Sequence, residues 1–140
     1  FVLDKASSEY FMVAAQDDLW EKDYIKTCLD YLEKDKNLGM ATTCNETIDS
    51  FGRKVLESPW MANLTGKPNI SQVSKYVLEP EVLGKNNLMY GFFRTEVARV
   101  VWNSYPQRNV WGQDYHVGLA IVSHFPIIVD KRSFIFVHAI

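Results

Sequence analysis

The sequence predicts an α/β layered fold, because short apolar runs typical of strands alternate with amphipathic segments typical of helices. The chain has 140 residues, of which 47% are hydrophobic and 14% aromatic, enough for one domain with a packed core. The formal net charge is −2, and no basic face stands out, so the charge pattern argues against nucleic acid as a partner. We expect a single domain over residues 1–140.

The first half of the chain is predicted to hold two strands and one long helix. Residues 9–15 form a short apolar run that predicts a buried strand, after a helix end over residues 1–7. Apolar residues recur near the helical period over residues 19–35, which predicts an amphipathic helix. Residues 38–48 predict a second strand.

The second half begins with less regular sequence. A turn is predicted at residues 49–52, and the proline, glycine and asparagine residues of 52–72 predict a long loop. Helices are predicted over residues 71–77 and 95–102 and from Gln113 onward. The remaining apolar runs predict three short strands, with the sequences NLMYGFF, IIVD and SFIFVHAI.

Two adjacent aspartates, Asp17 and Asp18, follow the first predicted strand. A structural role for Asp18 is a helix cap, because Asp18 and Glu21 have the spacing of a capping box. That role leaves Asp17 unexplained. Adjacent carboxylates repel each other, and the carboxyl end of a strand is where α/β sheets bind ligands. A divalent cation, Mg²⁺ or Mn²⁺, held together with the phosphates of a ligand, relieves that repulsion.

The stretch from Tyr10 to Met40, YFMVAAQDDLWEKDYIKTCLDYLEKDKNLGM, resembles the middle of the family 2 glycosyltransferases, which have the GT-A fold. LMYGFFRTEVARVVWN resembles the segment in which a Gly and an Arg introduce a helix. VWGQDYHVGLAIVSHFPIIVDKRSFIFVH resembles the end of the family's domain. The resemblance implies an α/β fold with a mixed sheet flanked by helices. It also implies that the chain is a partial GT-A domain without the N-terminal nucleotide-binding part. We therefore expect that this part alone is inactive and that it self-associates or is covered by a partner.

The resemblance implies an inverting transfer of a sugar from a nucleotide-diphospho-sugar to an acceptor hydroxyl. It gives Asp17 the position of the main metal ligand and Asp18 that of a helper, beside the donor's diphosphate. It gives Asp114 the position of the general base that an alcohol acceptor needs. The alternative for Asp114 is a helix N-cap or a first-turn carboxylate stabilised by the helix dipole.

Four further residues are candidates. Arg94 has a planar donor fork that matches a diphosphate, although a structural ion pair explains it equally well. Trp111 and Tyr90 are candidates for acceptor binding, although aromatic residues more often pack in a core. His138 matches a histidine that is a metal ligand in some relatives, and its alternative is an ordinary surface or core residue.

Two departures from the family pattern favour an alternative function, a non-catalytic binding or scaffold module. Ala15 and Gln113 stand where many relatives carry an acidic residue. A metal-dependent phosphohydrolase needs more converging ligands than the sequence offers. The predicted partners are a nucleotide-diphospho-sugar, a carbohydrate or lipid-linked acceptor, and a second copy paired through an exposed sheet edge. Cys28 and Cys44 form no disulfide framework, so we expect a cytoplasmic location, with peripheral membrane association left open.

Overall fold

The computed structural model describes residues 2–80, 83–104 and 112–138, without the side chains of residues 133, 134 and 138. The strands are β1 (Tyr10–Phe11), β2 (Leu19–Trp20), β3 (Met40–Ile48), β4 (Lys54–Glu57), β5 (Phe92–Arg94) and β6 (Ile127–His138). The α-helices are α1 (Tyr24–Lys34), α2 (Ile70–Leu78), α3 (Thr95–Asn103) and α4 (Gln113–His124). Short 3₁₀ helices lie at Leu3–Lys5, Pro59–Leu64 and Lys85–Tyr90.

The strands form one curled mixed sheet in the order β1–β5–β3–β6–β2, with β4 paired to the C-terminal part of β3. β5 is antiparallel to both β1 and β3, whereas β3 and β6 are parallel. Consequently β1, β3 and β6 run in the same direction, and the register sets the last residue of β1, Phe11, level with the first residues of β3 and β6. The class predicted from the sequence, α/β with a mixed sheet flanked by helices, is confirmed.

Helices cover both faces of this sheet, which explains why β3 is buried over its first six residues. Successive residues of β3 enter different cores: Met40 packs with α3 and α4 residues, and Ala41 packs with α1 residues. Phe93 and Phe92 of β5 divide in the same way. A sheet with two apolar faces is the arrangement that continuous apolar strands predict.

Four predictions of secondary structure are wrong in whole or in part. The buried strand predicted over residues 9–15 is only β1, two residues that are both half-buried. The helix predicted over residues 19–35 begins only at Tyr24, because Leu19 and Trp20 pair with β6 as β2. The loop predicted over residues 52–72 contains β4 and the Pro59–Leu64 helix. The strand predicted from NLMYGFF is a 3₁₀ helix over Lys85–Tyr90 followed by β5.

The two closing strands predicted from the sequence are one strand, β6, interrupted by a bulge. Thr43 pairs with Asp130, whereas the next residue of β3, Cys44, pairs with Ser133. The polar residues in this bulge had marked the predicted strand boundary. The predicted strand at 38–48 and the helices at 71–77, 95–102 and from Gln113 are confirmed within a few residues.

Membrane-spanning segments were sought among the described helices, and none is long and apolar enough to cross a bilayer.

Candidate carboxylate site

Asp18 is not a helix cap. The N-cap of α1 is Asp23, and the side chain of Asp23 makes no capping hydrogen bond. Asp17 and Asp18 instead lie in the turn that enters β2, with Asp17 exposed and Asp18 half-buried. The capping-box prediction is therefore wrong, because pairing of Leu19 and Trp20 with β6 displaces the helix start by several residues. The carboxylate pair is left at the end of the sheet.

The candidate residues lie just before a strand or in the first turn of a helix. Residues 12–18 leave the carboxyl end of β1 and reach β2 at the far side of the sheet. Tyr90 precedes β5, and β5 is antiparallel to β1, so Tyr90 lies at the end where β1 finishes. Asp114 lies in the first turn of α4, and α4 packs against the short helix that ends in Tyr90. Carboxyl ends of parallel strands are the usual ligand-binding end of an α/β sheet.

The pKa of Tyr90 is raised by its surroundings. Burial of the phenol is the largest cause that raises its pKa, and the negative charges of Asp18, Asp17 and Asp114 raise it further. The direction of these effects is that expected for carboxylates in the neighbourhood of a phenol, because each opposes formation of the phenolate. A phenol is protonated at neutral pH even without this shift, so the Tyr90 hydroxyl can donate a hydrogen bond.

Asp114 lies in the first turn of α4 and is half-buried. It is not the N-cap, which is Gly112, with a left-handed φ of 94° that a glycine adopts without strain. The first-turn position predicted as its structural role is confirmed, and the helix dipole stabilises its charge there. The base role stays a prediction.

Tyr24 fixes the backbone at Tyr90. Its hydroxyl, fully buried, donates to the carbonyl oxygen of Tyr90 at 3.0 Å and lies 3.3 Å from Oγ1 of Thr42. Gly91 follows Tyr90, and a Cβ there would lie 2.4 Å from Sδ of Met40, so only glycine permits this approach of β5 to β3. The sequence pattern showed Tyr24 as one apolar position of a helix and gave no sign of its polar contact.

Trp20, which follows the two aspartates closely in the sequence, carries an indole N–H that can donate a hydrogen bond. Its indole packs edge-on against Tyr24, with ring centroids 4.9 Å apart. Its Nε1 is buried without a hydrogen-bond partner among the described residues. A buried N–H without a partner costs free energy, and one near a binding site is a candidate donor to a ligand.

Arg94 lies at the other end of β5 from Tyr90, and the structure does not bring it to the aspartates. Its guanidinium donates to the carbonyl oxygens of Leu38 at 2.9 Å and Leu32 at 2.6 Å. A long ion pair of 3.5 Å joins it to Glu9. These contacts are those expected if Arg94 has a structural role. Binding of a diphosphate by Arg94 stays a prediction, and no contact among the described residues supports it.

Two candidates fall wholly or partly outside the described residues. Trp111 is not described. For His138 only the backbone is described, as the last residue of β6. Leu19 pairs with Phe136 in antiparallel strands. Asp17 lies two positions before Leu19, and His138 lies two positions after Phe136. The backbone at position 138 therefore lies at the same end of the β2–β6 pair as Asp17.

The donor atoms suit a hard divalent cation in part. Asp17 and Asp18 offer carboxylate oxygens, the ligand type that Mg²⁺ and Mn²⁺ prefer, and Mg²⁺ often binds one or two carboxylates together with phosphates. Within the side chains that the structure describes, no group of three or more His, Cys, Asp or Glu residues could hold a metal ion. The described residues thus fit a cation that receives its other ligands from a phosphorylated substrate.

Sequence analysis missed a second polar cluster, on the bulge of β6. Asp130, 8% exposed, accepts hydrogen bonds from the Tyr31 hydroxyl at 2.8 Å and from Nη2 of Arg132 at 2.6 Å. The Arg132 side chain is the largest cause that lowers the pKa of Asp130 to about 2. The i, i+2 spacing of Asp130 and Arg132 in a strand was the signal available, since such residues share a face.

Searches with protein-family models and among curated proteins find no match to this chain.

Proposed function

We propose that the chain is the catalytic part of a family 2 glycosyltransferase of the GT-A fold. It transfers a sugar from a nucleotide-diphospho-sugar to an acceptor hydroxyl with inversion. The observation that supports the proposal is that Asp17 and Asp18 lie in the turn before β2 and are not used as a helix cap. In addition α4, which carries Asp114, packs against the helix that ends in Tyr90.

Asp17 and Asp18 hold the donor side of the site. A divalent cation bound there supplies positive charge for the diphosphate that leaves. Asp17 is the more exposed of the two carboxylates and is free to meet a ligand from solvent. Asp18 is half-buried and orients the turn while contributing charge. The buried Nε1 of Trp20 is an additional donor for a diphosphate oxygen.

Asp114 acts on the acceptor side as the general base. It takes the proton of the acceptor hydroxyl while the hydroxyl oxygen forms a bond to the anomeric carbon of the sugar. The bond from that carbon to the diphosphate oxygen breaks, and its electron pair leaves with the nucleoside diphosphate. Attack from the face opposite the leaving group inverts the configuration. Tyr90, held protonated, donates a hydrogen bond to the acceptor.

A non-catalytic module derived from the same fold is the second candidate function. Ala15 and Gln113 favour it, because both remove a carboxylate from a position where many relatives have one. This module would bind a nucleotide or sugar without turning it over.

Calorimetric titration of Mn²⁺, alone and with uridine, guanosine or adenosine diphosphate, tests the donor site. We expect one diphosphate to bind only with Mn²⁺, and Asp17→Asn to weaken this binding at least about tenfold, because one ligand carboxylate is lost. Asp23→Asn, which changes another exposed aspartate, is the matched control and should bind normally. A folded wild-type chain that binds no diphosphate with Mn²⁺ would rule out a donor site in these residues.

Turnover separates the two candidate functions. A transferase releases nucleoside diphosphate from a nucleotide-sugar, slowly to water and faster with an acceptor. Asp114→Asn should abolish this release while leaving the Mn²⁺-dependent affinity for the diphosphate unchanged, because Asp114 lies on the acceptor side. Binding without release by the wild-type chain, over a panel of nucleotide-sugars and simple sugar acceptors, would support the binding module.

A further inference from the structure

The Lys85–Tyr90 helix connects the two sides of the candidate site. It ends in Tyr90 and packs against α4, whose first turn carries Asp114. Six residues of 3₁₀ helix contain few internal hydrogen bonds of good geometry, so such a segment keeps its position through contacts with its neighbours. Leu88 in its middle is fully buried in the core, and a side chain makes a further contact at each end.

Lys85 makes the contact at the first end. Its Nζ lies 5.6 Å from the ring centroid of Tyr76 and 5.8 Å from that of Tyr115. It donates to the carbonyl oxygens of Val77 at 3.2 Å and Tyr76 at 3.4 Å. Two aromatic rings and two carbonyl oxygens form a site for an ammonium group, and the carbonyls at the C-terminus of α2 favour positive charge.

Tyr76 links this lysine to the first turn of α4. Its hydroxyl donates to the carbonyl oxygen of Tyr115 at 3.2 Å. A Cβ at Gly118 would lie 2.1 Å from that hydroxyl, so the missing side chain at Gly118 lets Tyr76 lie directly on α4. Burial raises the pKa of Tyr76 and the nearby Asp114 carboxylate raises it further, as expected if the two side chains are close.

The second contact is the hydrogen bond from Tyr24 to the carbonyl oxygen of Tyr90. Lys85 thus joins the first end of this helix to the end of α2 and, through the Tyr115 ring, to α4, while Tyr24 joins the other end to α1. The distance between the base candidate on α4 and Tyr90 depends on both contacts. Lys85 was not a candidate from the sequence, where it is one charged residue beside Gly84.

We propose that Lys85 is a positioning residue, whose ammonium group between Tyr76 and Tyr115 fixes the first turn of α4 and so directs Asp114 toward the acceptor. The role in catalysis rests on the proposed function. The claim that Lys85 fixes the first turn of α4, called the positional part below, does not rest on the proposed function, because it concerns only how α4 is held. Lys85 touches neither donor nor acceptor and acts through Asp114.

Hydrogen exchange read by mass spectrometry tests the positional part in the full chain. In Lys85→Met we expect amide exchange in residues 112–120 to rise about tenfold, because the first turn opens locally more often. Peptides over α1 should exchange as in the wild type. Lys85→Arg retains the charge and should restore most of the protection. Lys75→Met, at an exposed lysine of α2, is the matched control and should change nothing.

The result that overturns the proposal is unchanged exchange at residues 112–120 in Lys85→Met, or an equal rise in every peptide, which marks a general loss of stability. If Lys85→Met does not fold, Tyr76→Phe replaces it. This variant removes one hydroxyl, and it should raise exchange in the same peptide alone.

Enzymology supplies the second readout. Lys85→Met should bind Mn²⁺ with uridine diphosphate within about twofold of the wild-type affinity, since Asp17 and Asp18 are untouched. It should release diphosphate from nucleotide-sugars at least about tenfold more slowly, with rescue by Lys85→Arg. A wild-type chain that binds no diphosphate would refute the proposed function while the exchange data still decide the role of Lys85. Normal turnover in Lys85→Met would refute positioning alone.

Discussion

Nη2 of Arg94 donates to the carbonyl oxygen of Leu32 at 2.6 Å and thereby joins β5 to the last turn of α1. The carbonyl groups at a helix C-terminus lack partners within the helix, and a buried guanidinium that satisfies them also meets the negative end of the helix dipole. The Tyr10 ring, 5.7 Å from Cζ, covers the guanidinium. Arg94 thus holds α1 to the sheet at the end away from the carboxylates.

Arg94→Lys should destabilise the chain by about 2 kcal/mol, because one ammonium group cannot reach all the carbonyl oxygens that the guanidinium fork reaches. Urea denaturation measures the loss. Arg53→Lys, at an exposed ion pair with Asp49, is the control and should change stability little. Mn²⁺-dependent diphosphate binding should survive in folded Arg94→Lys. Normal stability with lost diphosphate binding would restore the diphosphate role of Arg94.

Tyr24→Phe should destabilise the chain by about 1 to 2 kcal/mol. It removes a fully buried hydroxyl and leaves the carbonyl oxygen of Tyr90 without that donor. Tyr10→Phe is the matched control, because the Tyr10 hydroxyl bonds Glu33 in an exposed pair and water can replace it. Equal losses for the two variants, measured by urea denaturation, would show that the Tyr24 contact has no special weight.

Asp130 should make stability fall in acid. Its folded pKa of about 2 lies below the ordinary value of 3.8, so its contribution is complete above about pH 5 and is lost as the pH falls from 4 to 2. This lowering of the pKa adds about 1 to 2 kcal/mol to the free energy of unfolding at neutral pH. The figure already allows for solvent screening, because the Arg132 side chain is 58% exposed.

Unfolding free energies of the wild type and Asp130→Asn, measured at pH 6, 4 and 3, check this contribution. The gap between the two proteins should narrow as the pH falls. A gap that stays constant would show that the Arg132 pair does not lower the Asp130 pKa.

The pKa of Tyr90 should report the negative charges around it. Asp17→Asn, Asp18→Asn and Asp114→Asn should each lower that pKa, because each removes a charge that opposes phenolate formation. NMR of ring-labelled tyrosine, with Tyr90→Phe to assign the signal, measures the titration. Asp30→Asn, on the outer face of α1, is the control. A Tyr90 pKa that does not respond to Asp114→Asn would separate Asp114 from the aspartate pair and undermine the proposed site.

Sequence periodicity correctly predicted those helices and strands whose apolar pattern is visible in their own residues. The strand at Met40–Ile48 is buried along most of its length, and α2, α3 and α4 each show an apolar face or a clear start, so local pattern and final structure agree. The periodicity gave a wrong prediction at Leu19–Trp20. Their apolar spacing continues the helical pattern of α1, but both residues pair with β6 as a strand. Pairing partners distant in the chain leave no local trace.

The candidate site divides in the same way. The sequence singled out Asp17, Asp18, Asp114 and Tyr90, because carboxylates after an apolar strand or at a helix start invite a functional explanation. It gave no reason to expect Tyr24 or Lys85, since a tyrosine on a helix face and a lysine in a loop are ordinary. Their importance comes from carbonyl oxygens and rings that they meet only in the folded chain.

By itself the sequence determined the layered α/β class, most of the helices and the identity of the acidic residues, because these depend on side-chain type and spacing. Only the tertiary structure decided that Asp18 is not a cap, that Arg94 serves α1, and that three carboxylates act on Tyr90. The physical reason is that strand pairing and helix packing join segments far apart in the sequence, and such contacts form only in the folded chain.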